Sequence, residues 1–288
     1  MPWVAATLLG GAVGGAQVER SGGPDLTLLL ARMERVARLY SDVALRFVSR
    51  ETIAASPGPT RSFDYVYIFG EDGKFRDYRT RVGDRSGKEV HPEDAGMPRW
   101  LNQAFSWAFI FRSNRHERYH FELDGEEQVL GRAAYRLRFE PILPIEKNLN
   151  DWYGTVWIDR STSQILRVEA QTPEDFEEHW RLARRLGGTP VSPKDALRHY
   201  YSVESIKTQF GVEKNGMTFP SEVLIERSLF TVPGRSGGRF DSRFLYRVRQ
   251  TYDDYRFFSV HTADEIRAFL SRPAPNPTQT LPDNPRSP

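Results

Sequence analysis

The sequence predicts an α+β fold: a large curved antiparallel sheet, a half-open, unclosed β-barrel of about ten to eleven strands, with helices plugging its concave face. Three observations lead there. Residues 154–160 and 164–170 alternate apolar and polar positions on either side of Ser161-Thr162-Ser163, which is the pattern of an antiparallel hairpin. Similar alternating pairs recur along the chain, so the sheet grows by meander. Of the 288 residues, 39% are hydrophobic and 12% aromatic, enough to build a sizeable core. A sheet with one apolar face needs cover, and this chain has few helical patterns to supply it.

Residues 1–16 carry no charge and end in small residues at Gly14 and Ala16, matching the apolar region and cleavage site of a secretory signal, although no basic stretch precedes them. The first charges are Glu19 and Arg20. Export to the periplasm, or secretion, is therefore expected. The run is too short and too glycine-rich to span a bilayer, which needs roughly 20 apolar residues. No cysteine follows it, so the mature chain is not expected to carry a lipid anchor of its own. The remainder reads as a single domain over 17–270 with a Pro-rich, disordered tail at 271–288.

Within the domain, Leu26, Leu29, Leu30, Met33, Val36, Ala37 and Tyr40 fall at helical spacing behind a capping candidate, Asp25, and predict a helix over 25–41. Alternation then predicts strands over 43–53, 63–69 and 75–82, divided by the turn formers Pro57-Gly58-Pro59 and Asp72-Gly73. Residues 98–111 are helix-like and apolar nearly all round, the mark of a buried helix. Further strands are expected at 117–123, 127–130, 133–140, 154–160, 164–171, 198–210, 217–232 and 240–259, with Asp124-Gly125 and Asn215-Gly216 as hairpin turns. A charged helix over 174–186 is stopped by Gly187-Gly188 and Pro190.

Charge and composition narrow the function. The 40 basic and 38 acidic residues are spread along the chain, giving a net charge of +2 and no concentrated patch for nucleic acid. The absence of cysteine removes disulfides, thiolate zinc sites and cysteine nucleophiles together. Arginine supplies most of the positive charge, a bias that suits anion recognition by guanidinium forks but is read first as arginine-rich codon usage in a GC-rich genome.

Two catalytic patterns occur. His116-Glu117-Arg118-Tyr119-His120 fits the zinc-peptidase signature, in which a helix presents two imidazoles on one face and the glutamate activates water, with Glu140 and Glu146 as candidate third ligands. Geometry decides between readings. On a helix the two histidines lie about 6 Å apart along the axis, whereas on a strand four residues span about 13 Å, beyond one metal ion. The alternation of Tyr119, Phe121 and Leu123 favours strand. Gly234-Arg235-Ser236-Gly237-Gly238 fits the nucleophile-elbow pattern but joins two strands, where that motif requires a strand entering a helix. His261 and Asp264 form no triad by themselves, and His179 and His199 read as ordinary histidines. No catalytic residue, metal or cofactor is expected.

What remains is aromatic. Trp100, Phe105, Trp107, Phe109 and Phe111 fall within twelve residues, and Trp152, Tyr153 and Trp157 follow on the next hairpin. Trp100, Phe105, Trp107, Phe109, Phe111 and Trp157 are the candidates to line a hydrophobic cavity; plain core is the competing reading. A 16-carbon acyl chain gains at most about 12 kcal/mol on burial, at about 0.8 kcal/mol per CH₂, without any catalytic group.

The order of signal, amphipathic helix, strand meander and apolar plug, then Tyr153-Gly-Thr-Val-Trp-Ile-Asp159 with Ile165-Leu-Arg-Val-Glu169 and a closing Tyr252-Asp-Asp-Tyr-Arg-Phe-Phe258, resembles exported bacterial proteins related to the periplasmic outer-membrane lipoprotein carriers of the Lol system. The likeness covers most of residues 26–260. It implies an unclosed β-barrel plugged by helices, with a cavity for acyl chains of lipids or lipoproteins. It also implies an envelope protein that delivers or receives cargo, and peripheral contact with a membrane. No arginine of such carriers aligns to one position here, and extra residues at 172–195 and 232–240 leave the cargo open. A zinc metallopeptidase and a non-catalytic envelope sensor or interaction module stand as alternatives.

Overall fold

The computed structural model describes residues 25–43, 46–56, 58–69, 75–96, 104–142, 152–171, 200–231 and 241–257. Outside them lie the expected signal at 1–16, the tail at 271–288, the helix over 174–186 and the Asp72-Gly73 turn. Trp100, Glu146, His179, His199, His261, Asp264 and the Gly234–Gly238 motif also fall outside.

Helix α1 (Leu26–Val43) begins where the Asp25 carboxylate accepts the Thr27 amide at 2.8 Å, satisfying a donor that the first turn leaves open. Its buried residues, Leu29, Met33, Val36, Ala37, Leu39 and Tyr40, fall on one broad helical face and seat the helix on the sheet. Strands β1 (Phe47–Ser56), β2 (Thr60–Phe69) and β3 (Phe75–Arg81) form a first antiparallel meander. Three one-turn helices follow: α2 (Pro92–Ala95), α3 (Ser106–Phe109) and α4 (Ser113–His116).

A second meander runs through β4 (Tyr119–Val129), β5 (Arg132–Pro141), β6 (Tyr153–Asp159), β7 (Ile165–Gln171) and β8 (Tyr200–Gln209). The hairpin β9 (Val212–Lys214) and β10 (Met217–Phe219) forms a small separate sheet, after which β11 (Glu222–Thr231) and β12 (Asp241–Phe257) complete the large one. The ten-stranded order is β3-β2-β1-β12-β11-β8-β7-β6-β5-β4, antiparallel throughout and not closed on itself.

The join between β1 and β12 is the long-range closure of the fold. Phe47 stands opposite Phe257 and Glu51 opposite Tyr252, so the first and last strands meet mid-sheet. Consequently β3 and β4, neighbours in sequence, stand at opposite ends of the sheet, and the chain between them must cross its whole width. A flat sheet of that many strands is about 43 Å wide at about 4.8 Å per strand. The chain crosses over the concave face.

Turn chemistry departs from expectation at one place. Asp124-Gly125 is not a hairpin turn but a bulge inside β4, where the register slips by one residue between Leu123 opposite Leu137 and Glu126 opposite Tyr135. Gly125 has φ of 114°, which a bulge demands as readily as a turn. The actual β4–β5 turn is Leu130-Gly131, with φ of 53° and 74°. The expected strand over 217–232 is broken after Phe219 by Pro220, which cannot donate to a ladder. Asn215-Gly216 does turn β9 into β10, with φ of 54° and 79°. In the β6–β7 hairpin, one Asp159 carboxylate oxygen accepts the Ser161 amide and the Thr162 amide, each at 2.8 Å, and so shapes the turn.

Candidate functional site

The crossing segment is the plug of the barrel, and it is not one helix. The helix expected over 98–111 is, in its described part, the single turn α3 followed by a break at Arg112, whose φ of −69° and ψ of 143° are extended, and then α4. A continuous helix would rise only 1.5 Å per residue; the broken path covers more of the sheet with fewer residues. Its aromatic side chains mark the route.

Phe105 stacks on Tyr67 at 4.5 Å between ring centroids and also meets Tyr65 and Phe47, which places it over β2 and β1. Trp107 donates its indole N–H to Thr208 Oγ1 at 3.0 Å and packs on Trp152 and Phe139, over β8 and β5. Phe111 meets Phe121 on β4, the far edge strand. Phe105, Trp107 and Phe111 are all buried and belong to the main core, with the half-buried Phe109 packed against it. Four of the six candidate residues are thus brought together along one path.

Trp157 does not join them. Val156 and Ile158 face the concave core, so the alternation of β6 turns Trp157 to the other side, where it clusters with Val129, Ala134 and Leu166. There its indole donates to Glu127 at 2.8 Å and the Arg167 guanidinium lies 3.7 Å from its ring centroid.

The His116–His120 motif is divided between elements. His116 ends α4, with its Nε2 2.8 Å from the Phe111 carbonyl, while His120 is an exposed residue of β4, opposite Glu140. The two imidazoles therefore do not share a helical face, which the zinc-peptidase reading requires. Among the described residues, no three His, Asp or Glu side chains gather as a metal site would need.

The concave face also holds a charged group that the sequence did not single out. On β1, β2, β3 and β12, Arg79 binds Glu51 through two nitrogens, Nη2 to Oε1 at 2.9 Å and Nε to Oε2, and binds Asp77 at 2.9 Å. Tyr65 donates to Asp77 at 2.7 Å, while Tyr252 and Gln250 donate to Glu51 at 2.7 and 3.0 Å. Arg79, Glu51 and Asp77 are 1%, 0% and 5% exposed, so one buried cation faces two buried acids. Burial pushes the Asp77 carboxyl up to about 6, against the lowering pull of Arg79. Burial alone would lower the Arg79 guanidinium, yet the facing Glu51 and Asp77 raise it well above its ordinary value. The signal was legible in principle: Glu51, Asp77 and Arg79 occupy the inward phase of their strands, where apolar residues are the rule.

Beside this group, at the β3 edge, an open cleft of about 750 Å³ lies between β2, β3 and α2. Arg61, Phe63, Arg81, Val82, Val90, Glu93 and Asp94 contribute to its walls.

These features define a class: an unclosed antiparallel barrel whose interior is occupied by a plug of its own chain. Some proteins of known structure are similar to this chain. A DUF1329 family protein from Desulfovibrio piger is 16% identical over 81% of this chain and 94% of its own, with a TM-score of 0.40. A domain described as an outer membrane lipoprotein-sorting protein, from Vibrio parahaemolyticus, is 13% identical over 84% and 97%, with a TM-score of 0.40. A LolA superfamily protein from Nitrosomonas europaea is 11% identical over 81% and 94%, with a TM-score of 0.36. No protein-family model and no curated protein matches the sequence. No described helix is long and apolar enough to cross a membrane.

Proposed function

We propose that this protein is a periplasmic, non-enzymatic carrier of lipid or lipoprotein acyl chains, which enter the concave face of the barrel by displacing part of the plug. The observation that carries the reading is the plug itself: a broken segment of single helical turns holds its place by aromatic side chains laid across an apolar sheet. Single helical turns are marginal by themselves, so aromatic packing and the Trp107–Thr208 hydrogen bond keep them seated.

The magnitudes allow exchange. Exposing Trp107 and Phe111 costs about 3–6 kcal/mol, at roughly 1.5–3 kcal/mol for each large apolar side chain. A 16-carbon acyl chain gains at most about 12 kcal/mol by the same measure. A guest therefore outweighs the plug, while the empty protein remains folded around it. Phe105 and Phe109 are proposed as side chains that the guest meets at the inner end of the same path.

The test is purification without detergent followed by native mass spectrometry, with titration of a fluorescent fatty-acid probe. Co-purified lipid and probe binding are expected; the absence of both overturns the reading. Phe111→Ala weakens the plug and is expected to tighten probe binding by about tenfold, the factor carried by about 1.4 kcal/mol. Unchanged or weaker binding would show that the guest does not replace Phe111.

A further inference from the structure

We infer that the buried group of Glu51, Asp77 and Arg79 is a proton-operated latch on the inner end of the plug: a proton on Asp77 keeps Phe105 seated, and loss of that proton loosens it. This goes beyond acyl-chain binding and does not rest on it, because the plug and the charged group both belong to the chain itself.

Two acids share one cation in this group. With both carboxyls ionised it carries a net negative charge in a buried setting, and one proton removes that charge. The hydrogen bonds decide which acid takes the proton. Among the described residues, Glu51 accepts four: two from Arg79, one from Tyr252 and one from Gln250. Asp77 accepts two, from Tyr65 and from Arg79. Each donor to a carboxylate favours its ionised form, so Glu51 keeps its charge and the proton goes to Asp77. The raised value of the Asp77 carboxyl, with burial as its largest cause, agrees with this assignment.

Tyr65 couples the acid to the plug. Its ring is stacked with Phe105 at 6.1 Å between centroids and 13° between planes, and the Arg79 guanidinium lies 5.1 Å from the same ring. Its hydroxyl donates to Asp77 at 2.7 Å. The groups facing Asp77 are Arg79 from its own strand, Tyr65 from β2 and Glu51 from β1, with Tyr252 and Gln250 of β12 on the far side of Glu51. Among the described residues, the plug sets the apolar Phe105 against this rim, and α1 sets Tyr40, whose hydroxyl donates to the Thr218 carbonyl. Lifting Phe105 bares Tyr65 and brings water toward the group, where an ionised Asp77 costs far less. A proton therefore favours the seated plug and is released when the plug lifts. The hold is complete below the ordinary carboxyl value of 3.8 and is lost as pH rises through about 6.

The test reads amide hydrogen exchange of the full chain at single-residue resolution, corrected for the intrinsic rate at each pH. The Ala108 amide, bonded to the Phe105 carbonyl at 3.1 Å, reports the inner end of the plug; the Arg115 amide, bonded to the Arg112 carbonyl at 2.8 Å, reports the outer end. From about pH 5 to about pH 7.5, protection of Ala108 should fall about tenfold, the factor that a rise from 3.8 to about 6 gives over that interval. Arg115 should stay within about twofold, and Asp77→Asn should abolish the fall at Ala108. No fall at Ala108, an equal fall at Arg115, or an equal fall in the variant overturns the inference. Should Asp77→Asn fail to fold, Phe105→Ala decides. A plug held by a proton must in turn hold the proton, so the Asp77 carboxyl, followed by its carbon NMR shift, should titrate at lower pH in that variant. Titration at the wild-type pH overturns the inference. Lipid binding enters none of these measurements, so the carrier reading stands or falls separately.

Discussion

Replacing Asp77 by asparagine should make the protein's stability less dependent on pH. In the fold this carboxyl is fully enclosed, and burial raises it from 3.8 to about 6, opposed by Arg79 and Tyr65 and reinforced by the nearby Glu51. A carboxyl whose folded value is raised favours the fold in its protonated form. Its contribution is therefore complete below the unfolded value near 3.8 and lost as pH rises through about 6. The shift corresponds to about 3 kcal/mol in all, of which about 2 kcal/mol falls between about pH 4.5 and about pH 7.5. Asparagine keeps an acceptor for Arg79 Nη2 or the Tyr65 hydroxyl but cannot ionise. The difference in unfolding free energy, variant minus wild type, should thus rise by about 2 kcal/mol across that pH interval in favour of the variant. Urea unfolding of both proteins, followed by tryptophan fluorescence at several pH values, measures this difference directly. Parallel profiles, with a constant gap between the proteins, would show that Asp77 titrates normally and that the buried group is not arranged as described.

The same group gives a contrasting variant: Glu51→Gln removes the paired partner of a buried arginine, and chemical unfolding at neutral pH should record a loss of roughly 3–5 kcal/mol. A loss below about 1 kcal/mol would place Arg79 in contact with water. At Gly154 on β6, an added Cβ would stand 2.1 Å from the Glu169 carbonyl oxygen and 2.7 Å from the Ala170 Cα, so neighbouring backbone would have to move. Gly154→Ala should cost roughly 1–3 kcal/mol, read as a lowered midpoint in thermal unfolding; an unchanged midpoint would mean that β6 and β7 lie further apart.

Local pattern carried much of this fold. Helix α1 and the hairpin β6–β7 are visible in the sequence because their periods are set by one buried face, and Asn215-Gly216 turns because both residues tolerate positive φ. Glycine misled at Gly125, because it reports a backbone conformation and not whether a turn or a bulge needs it. The meeting of β1 with β12 was not legible, since an alternating strand looks the same whichever neighbour it finds. With that join unseen, the distance between β3 and β4 was unseen too, and the plug read as one continuous helix rather than a broken path. Trp157 shows the reverse failure. Its phase in β6, shared with Thr155 and Asp159, already set it on the side opposite Val156 and Ile158, but aromatic character drew it into the interior list.

The two ends of the plug are held unequally, and on the proposed carrier reading this sets the direction in which it would open. Around Phe105 stand Tyr65, Tyr67, Phe47, Tyr40 and Phe219. Tyr65 is in turn tied to Asp77 and through it to Arg79 and Glu51. Lifting Phe105 would expose that charged group's tyrosine rim and loosen a network that is costly to leave half satisfied. At the other end, Phe111 meets Phe121 on an edge strand, and Trp107 is fixed by one hydrogen bond and two ring contacts. Opening from the β4 edge therefore breaks mainly apolar contacts, which a hydrocarbon guest can replace in kind. Opening from the β3 edge would break polar contacts that no hydrocarbon can replace. On this account the buried acid and arginine serve as the hinge post of the plug, and the aromatic residues toward β4 form the part that yields.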